Sequence, residues 1–80
     1  MNIEQQFMSA YDLFVNEIFQ FFFSKAISRT KARDLTQYTF KETWRQVVRG
    51  RVENEINEIH DLLRLNARRL ARTYAMPLPA

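Results

Sequence analysis

From Ile3 to Phe22 the apolar residues Ile3, Phe7, Tyr11, Phe14, Ile18, Phe21 and Phe22 return at intervals of three and four, which is the period of one helix face. Met8, Val15, Phe19 and Ala26 widen that stripe, and the period runs on through Lys25, so the pattern predicts a first helix over residues 3–28. Its apolar arc is wider than a surface helix needs, so it is expected to touch two other helices at once. The polar break Ser28-Arg29-Thr30 follows, with Thr30 placed to cap the next helix.

A second helical pattern then places Ala32, Leu35, Thr39, Phe40, Thr43, Trp44 and Val47 within about half the circumference at about 100° per residue. The opposite half carries Asp34, Gln37, Lys41 and Arg45, with Tyr38 at its edge. Read alone, that strip is a solvated face, as most charged helix surfaces are. Gly50, between Arg49 and Arg51, marks the turn that ends the helix, because a glycine adopts a left-handed conformation at least cost.

Beyond it Val52, Ile56, Ile59 and Leu63 keep helical spacing, which leaves room for an extra short helix after Gly50. In the last helix, residues 62–75, Leu63, Ala67, Leu70 and Tyr74 repeat on the core side. Arg64, Arg68 and Arg72 recur every four residues and form one outer ridge, with Arg69 on its flank. A row of guanidinium groups matches a phosphate backbone, since each can donate two parallel hydrogen bonds. Acids at a helix start and arginines at its end also suit the helix dipole, so the charge pattern by itself fits both readings. Met76-Pro77-Leu78-Pro79-Ala80 cannot continue a helix. The expected organisation is an all-α, small three-helix bundle over residues 1–76, with 77–80 the start of a linker or disordered tail.

Composition narrows the picture. A chain of 80 residues makes one small domain that buries only about 60–65% of the surface its unfolded form exposes. Seven Phe, three Tyr and one Trp make a dense core, and aromatics at this spacing serve packing rather than a ligand groove. With no cysteine there is neither a disulfide framework nor a thiolate metal site. His60 is the one histidine, which makes it a surface or half-buried side chain rather than a metal ligand. No nucleophile, base and orienter come together in the pattern, so neither catalysis nor a cofactor is expected. The apolar run Leu13–Phe23 is interrupted by Asn16, Glu17 and Gln20 and falls short of the ~20 residues a membrane span needs. Charge is uneven along the chain: residues 1–24 hold three acids and no Lys or Arg, whereas residues 25–80 hold twelve bases and six acids.

Two stretches carry a resemblance. Asp34-Leu35-Thr36-Gln37, then Phe40, then Trp44-Arg45, resembles the Asp-Leu-x-Gln-x-x-Phe-x-x-x-Trp signature of the second domain of bacterial RNA polymerase sigma factors, in particular the extracytoplasmic-function group. Leu63 to Tyr74 looks like the recognition stretch of the same domain, with Ala67, Arg68, Leu70 and Tyr74 matching directly. The first helix extends the likeness only loosely. The resemblance implies a cytoplasmic transcription initiation module whose Asp34 and Gln37, with Lys41 and Arg45 beside them, dock on the beta-prime coiled coil of core RNA polymerase.

It also implies that Arg64, Arg68, Arg69 and Arg72 lie along the non-template strand of the promoter −10 element. Asn54, Glu55 and Asn57 would stand where the family builds a pocket for a flipped base, whose edge such groups can read; polar residues beside a turn also serve solvation alone. An anti-sigma factor is a further partner that the resemblance implies. The chain departs from the family at Leu62, Arg69 and Thr73, where Trp, Asn and Asp are usual. Fewer aromatics leave fewer surfaces for stacked bases, which favours polymerase docking over strand melting and keeps a second reading open: a helical interaction module, decoy or adaptor that has lost promoter recognition. The −35-reading domain of the family has no counterpart in these 80 residues, so a fragment and a stand-alone module are both expected forms.

Overall fold

A computed structural model describes residues 3–25, 27–50 and 55–74, and these form three α-helices: α1 (Ile3–Phe23), α2 (Arg29–Val48) and α3 (Ile56–Tyr74). The three-helix bundle expected from the periodicity is the fold. Each helix packs on both others, so α1 does touch two partners. α1 and α3 run in the same direction, because Phe14 meets His60 and Glu17 meets Arg64. α2 runs against both, pairing Phe7 with Trp44 and Tyr11 with Phe40 on one side and Thr43 with Asn66 on the other.

Ile18, Phe22, Val47, Ile59 and Leu63 make up the fully enclosed centre, and Phe22 is 0% exposed. Each such side chain contributes about 1.5–3 kcal/mol by leaving water. Phe7 and Tyr11 pack edge-on to Phe40, with ring centroids 6.2 and 4.7 Å apart, the arrangement aromatic quadrupoles prefer. Among the residues expected to widen the α1 stripe, Val15 and Phe19 are half-buried, whereas Met8 is exposed; it lies at the rim of the α1–α2 contact beside Trp44.

The helix ends differ from the periodicity in three places. α1 stops at Phe23 rather than running to residue 28, because the Ser24 hydroxyl donates to Phe21 O at 2.7 Å and the Lys25 N–H donates to Phe22 O at 3.0 Å, closing the last turn tightly. Ser28 rather than Thr30 caps α2, since its Oγ accepts from the Lys31 N–H at 3.2 Å while Thr30 already lies in the first turn. α3 starts at Ile56, so from that residue on the segment proposed as an extra short helix is the first turn of α3; Val52 lies outside the described residues. Gly50 has φ +77° and its N–H donates to Val47 O at 3.0 Å, the turn its position in the sequence required.

The α2–α3 seam is partly polar. Thr36, Thr39 and Thr43 are buried, and their hydroxyls donate to the carbonyls four residues back, Ala32, Leu35 and Thr39, at 2.7–2.8 Å. Asn66, 4% exposed, donates through Nδ2 to Thr43 Oγ1 at 2.9 Å and to Gln46 Oε1 at 3.0 Å. Removing one partner of a buried hydrogen bond costs about 1–3 kcal/mol, so Asn66→Ala should lower the urea-unfolding free energy by that amount, and a change within error would show that the amide does not tie the seam. Nothing lies within 4 Å of a Cβ added at Gly50, so Gly50→Ala should cost only the backbone term, about 1 kcal/mol, in the same measurement.

Candidate docking face and arginine ridge

The outer face of α2 follows from the packing of its inner one. Phe40, 3% exposed, and half-buried Trp44 point at α1, which turns Asp34, Gln37, Lys41 and Arg45 to the outside, where all four are exposed. At 1.5 Å rise per residue the strip is about 16 Å long. Two of its members already have neighbours. Gln37 Nε2 donates to the Tyr11 hydroxyl at 3.0 Å, and Arg45 pairs with Glu42 at 3.4 Å. Tyr38 is 53% exposed beside them.

On α3, Arg64, Arg68, Arg69 and Arg72 are all exposed. They are not equivalent. Arg64 Nε donates to Glu17 Oε2 of α1 at 3.1 Å, and His60 Nε2 lies 3.0 Å from both oxygens of the same carboxylate. The His60 ring stacks on Phe14 at 3.8 Å between centroids with 3° between planes, which aims Nε2 at Glu17. His60 is half-buried, one of the two positions its solitary occurrence allowed. The hydrogen bond from His60, with a further one from Arg64, holds the Glu17 carboxyl below the usual 4.5 against the opposing effect of burial.

Glu17 is the residue the sequence pattern did not single out. Its signal was only its position: an acid at the edge of the α1 apolar arc, on a helix with no basic residue before Lys25. Asn66 was likewise unforeseen, because an Asn in a run of arginines reads as surface.

Asn54 lies outside the described residues. Glu55 precedes α3 and its carbonyl accepts the Ile59 N–H at 3.0 Å, and Asn57 lies in the first turn; both are exposed. Some 22 Å of helix separates Asn57 from Arg72, so these groups and the ridge belong to one face only if a ligand follows the length of α3. Between α2 and α3 a cleft of about 190 Å³ lined by Tyr38, Glu42, Gln46, Asn66, Arg69 and Leu70 joins the edge of the α2 strip to the flank of the ridge.

Among the described residues no three His, Asp or Glu side chains converge as metal ligands, and no helix is long and apolar enough to cross a membrane. Comparison with known proteins finds no matching family model, no matching curated protein and no matching solved structure.

Because the Glu17 carboxyl titrates below its ordinary value in the fold, the pair contributes stability above that ordinary value and loses it as the pH falls through the lowered one. Glu17→Gln should therefore melt below the wild type at neutral pH, by about 0.5 kcal/mol for a partly exposed pair, and the two melting curves should converge as the carboxylate is protonated. A gap that persists in acid would assign the loss to packing instead.

Proposed function

We propose that the chain is a sigma-factor-like module that docks on the beta-prime subunit of core RNA polymerase through the outer face of α2 and lies along the promoter −10 element through α3, with no catalytic role of its own. The observation that carries this reading is the division of α2. The Phe and Trp of the signature face inward and its Asp and Gln face outward, on one rigid helix. A carboxylate and an amide a turn apart, flanked by Lys41 and Arg45, offer hydrogen-bonding groups of both kinds to a protein surface. The arginines of α3 supply the phosphate contacts, and Arg69 stands nearest the docking face across the α2–α3 cleft.

A second reading, a helical adaptor that keeps the docking face without promoter recognition, draws support from Leu62 in place of the family's Trp and from the engagement of Arg64 with Glu17. Nucleic-acid binding separates the two.

Capture of core RNA polymerase by the wild type, reduced about tenfold for the Asp34→Ala, Gln37→Ala pair, is the expected result, and equal capture would remove the docking assignment. With three or four arginines on single-stranded phosphates, the slope of log K against log salt should be on the order of −2 to −3. Changing −10 bases should cost about 1–3 kcal/mol per base pair. An adaptor would show neither effect.

A further inference from the structure

Because α1 and α3 run in the same direction, the C-terminal end of α1, the N-terminal end of α2 and the C-terminal end of α3 come together. That end of the bundle gathers Lys25, Arg29, Lys31, Arg33, Arg68, Arg69 and Arg72 among the described residues, with Asp34 beside them. Toward the other end lie Glu4, Glu42, Glu55, Glu58 and Asp61 together with Arg45 and Arg49 among the described residues. The molecule is charged lengthwise.

A groove lies between α1 and α3. It has a volume of about 260 Å³ and is lined by Glu17, Ile18, Phe21, Arg64, Ala67 and Arg68. Its floor is apolar, since Ile18 and Ala67 are buried and Phe21 is half-buried, and the short side chain of Ala67 leaves the space that a larger residue would fill. Its rim is cationic. Arg64 and Arg68 line it from α3, and beyond the lining the Lys25 ammonium lies 5.1 Å from the centroid of the Phe21 ring; Glu17 is the acid in the lining.

An aromatic wall, a small apolar floor, two arginines along one side and an ammonium next to the aromatic ring match the chemistry of a nucleotide. A base buries its flat faces against the ring and the alanine, while its flanking phosphates meet the guanidinium and the ammonium. An acidic peptide would satisfy the cations and leave the floor unfilled. A lipid chain would need more apolar length than Ile18, Phe21 and Ala67 offer.

We propose that this groove takes one unpaired nucleotide of a single-stranded nucleic acid, its base against Phe21 and Ala67 and its phosphates on Arg68 and Lys25. Arg64 joins when it exchanges the Glu17 carboxylate for a phosphate, and Glu17 stays hydrogen-bonded to His60. In the free protein Glu17 thus acts as an internal counter-ion that a phosphate must displace from Arg64. The proposal rests on the nucleic-acid reading of α3 and adds to it Phe21 of α1 and Lys25 of the turn that follows α1.

Fluorescence anisotropy with the full chain tests this, using a labelled oligothymidylate, the same phosphate backbone carrying abasic sites, and vesicles of anionic phospholipid. The base-bearing strand should bind about tenfold more tightly than the abasic one. Phe21→Leu, which keeps an apolar side chain, should erase that preference. The exposed variants should move the salt slope in opposite directions: Glu17→Gln steepens it by about 0.7 as Arg64 is released, and Arg68→Gln flattens it by about 0.7.

Equal affinity for the abasic strand, or a preference unchanged by Phe21→Leu, overturns the groove while a wild-type slope on the order of −2 to −3 keeps the phosphate-binding reading of the ridge. Absence of binding to either strand overturns both. Tighter binding to the vesicles than to either strand overturns the groove in favour of a membrane surface.

Discussion

The amide of Asn66 enters the α2–α3 seam and donates to Thr43 and Gln46, and the alignment of the two helices follows from it. A sliding of α3 along α2 breaks both of those hydrogen bonds at once, a cost that apolar contacts alone do not impose on a sliding helix. Polar residues in a helical interface are best attested in this role of fixing register. Thr43 takes part twice, accepting from Asn66 while donating to Thr39 O. The relative positions of the α2 strip and the α3 arginines, and hence the angle at which two partners could be held, depend on that contact.

Most of the architecture was legible because apolar spacing states it directly. Phe7, Ile18, Leu35, Phe40, Val47 and Leu63 are where the period put them, and Gly50 turns the chain where a lone glycine should. The boundaries were less legible, since the hydrogen bonds that close α1 at Phe23 and open α2 at Ser28 compete among several neighbouring Ser and Thr residues. The inward and outward faces of α2 could be read from the chain. The environment of the arginines could not. Which of Arg64, Arg68, Arg69 and Arg72 meets an acid depends on Glu17, nearly fifty residues away in sequence, and nothing in the local pattern of α3 carries that information.

That contact changes how the ridge is understood. Four arginines at helical spacing suggest a uniform cationic row, but Arg64 is held to α1 by Glu17 and shares it with His60. The same triad links α1 to α3 at their parallel crossing, where Phe14 supports the imidazole from below. One carboxylate therefore serves two ends, joining two helices and setting where along α3 positive charge first becomes available. The exposed polar strip of α2 and the arginine ridge of α3 are built on different helices of one small core, so a change at either surface need not disturb the other.

The lengthwise separation of acids and bases gives the bundle a permanent electric moment along its helices. Near a polyanion this produces torque as well as attraction, and the molecule is turned until the α1–α2 connection leads. At physiological ionic strength the field fades over about 8 Å, so the rotation takes place in the last moments of approach, when a wrongly presented α3 has the least time to correct itself. Orientation before contact would then be a property of how three short helices were threaded, parallel and antiparallel, rather than of any single side chain.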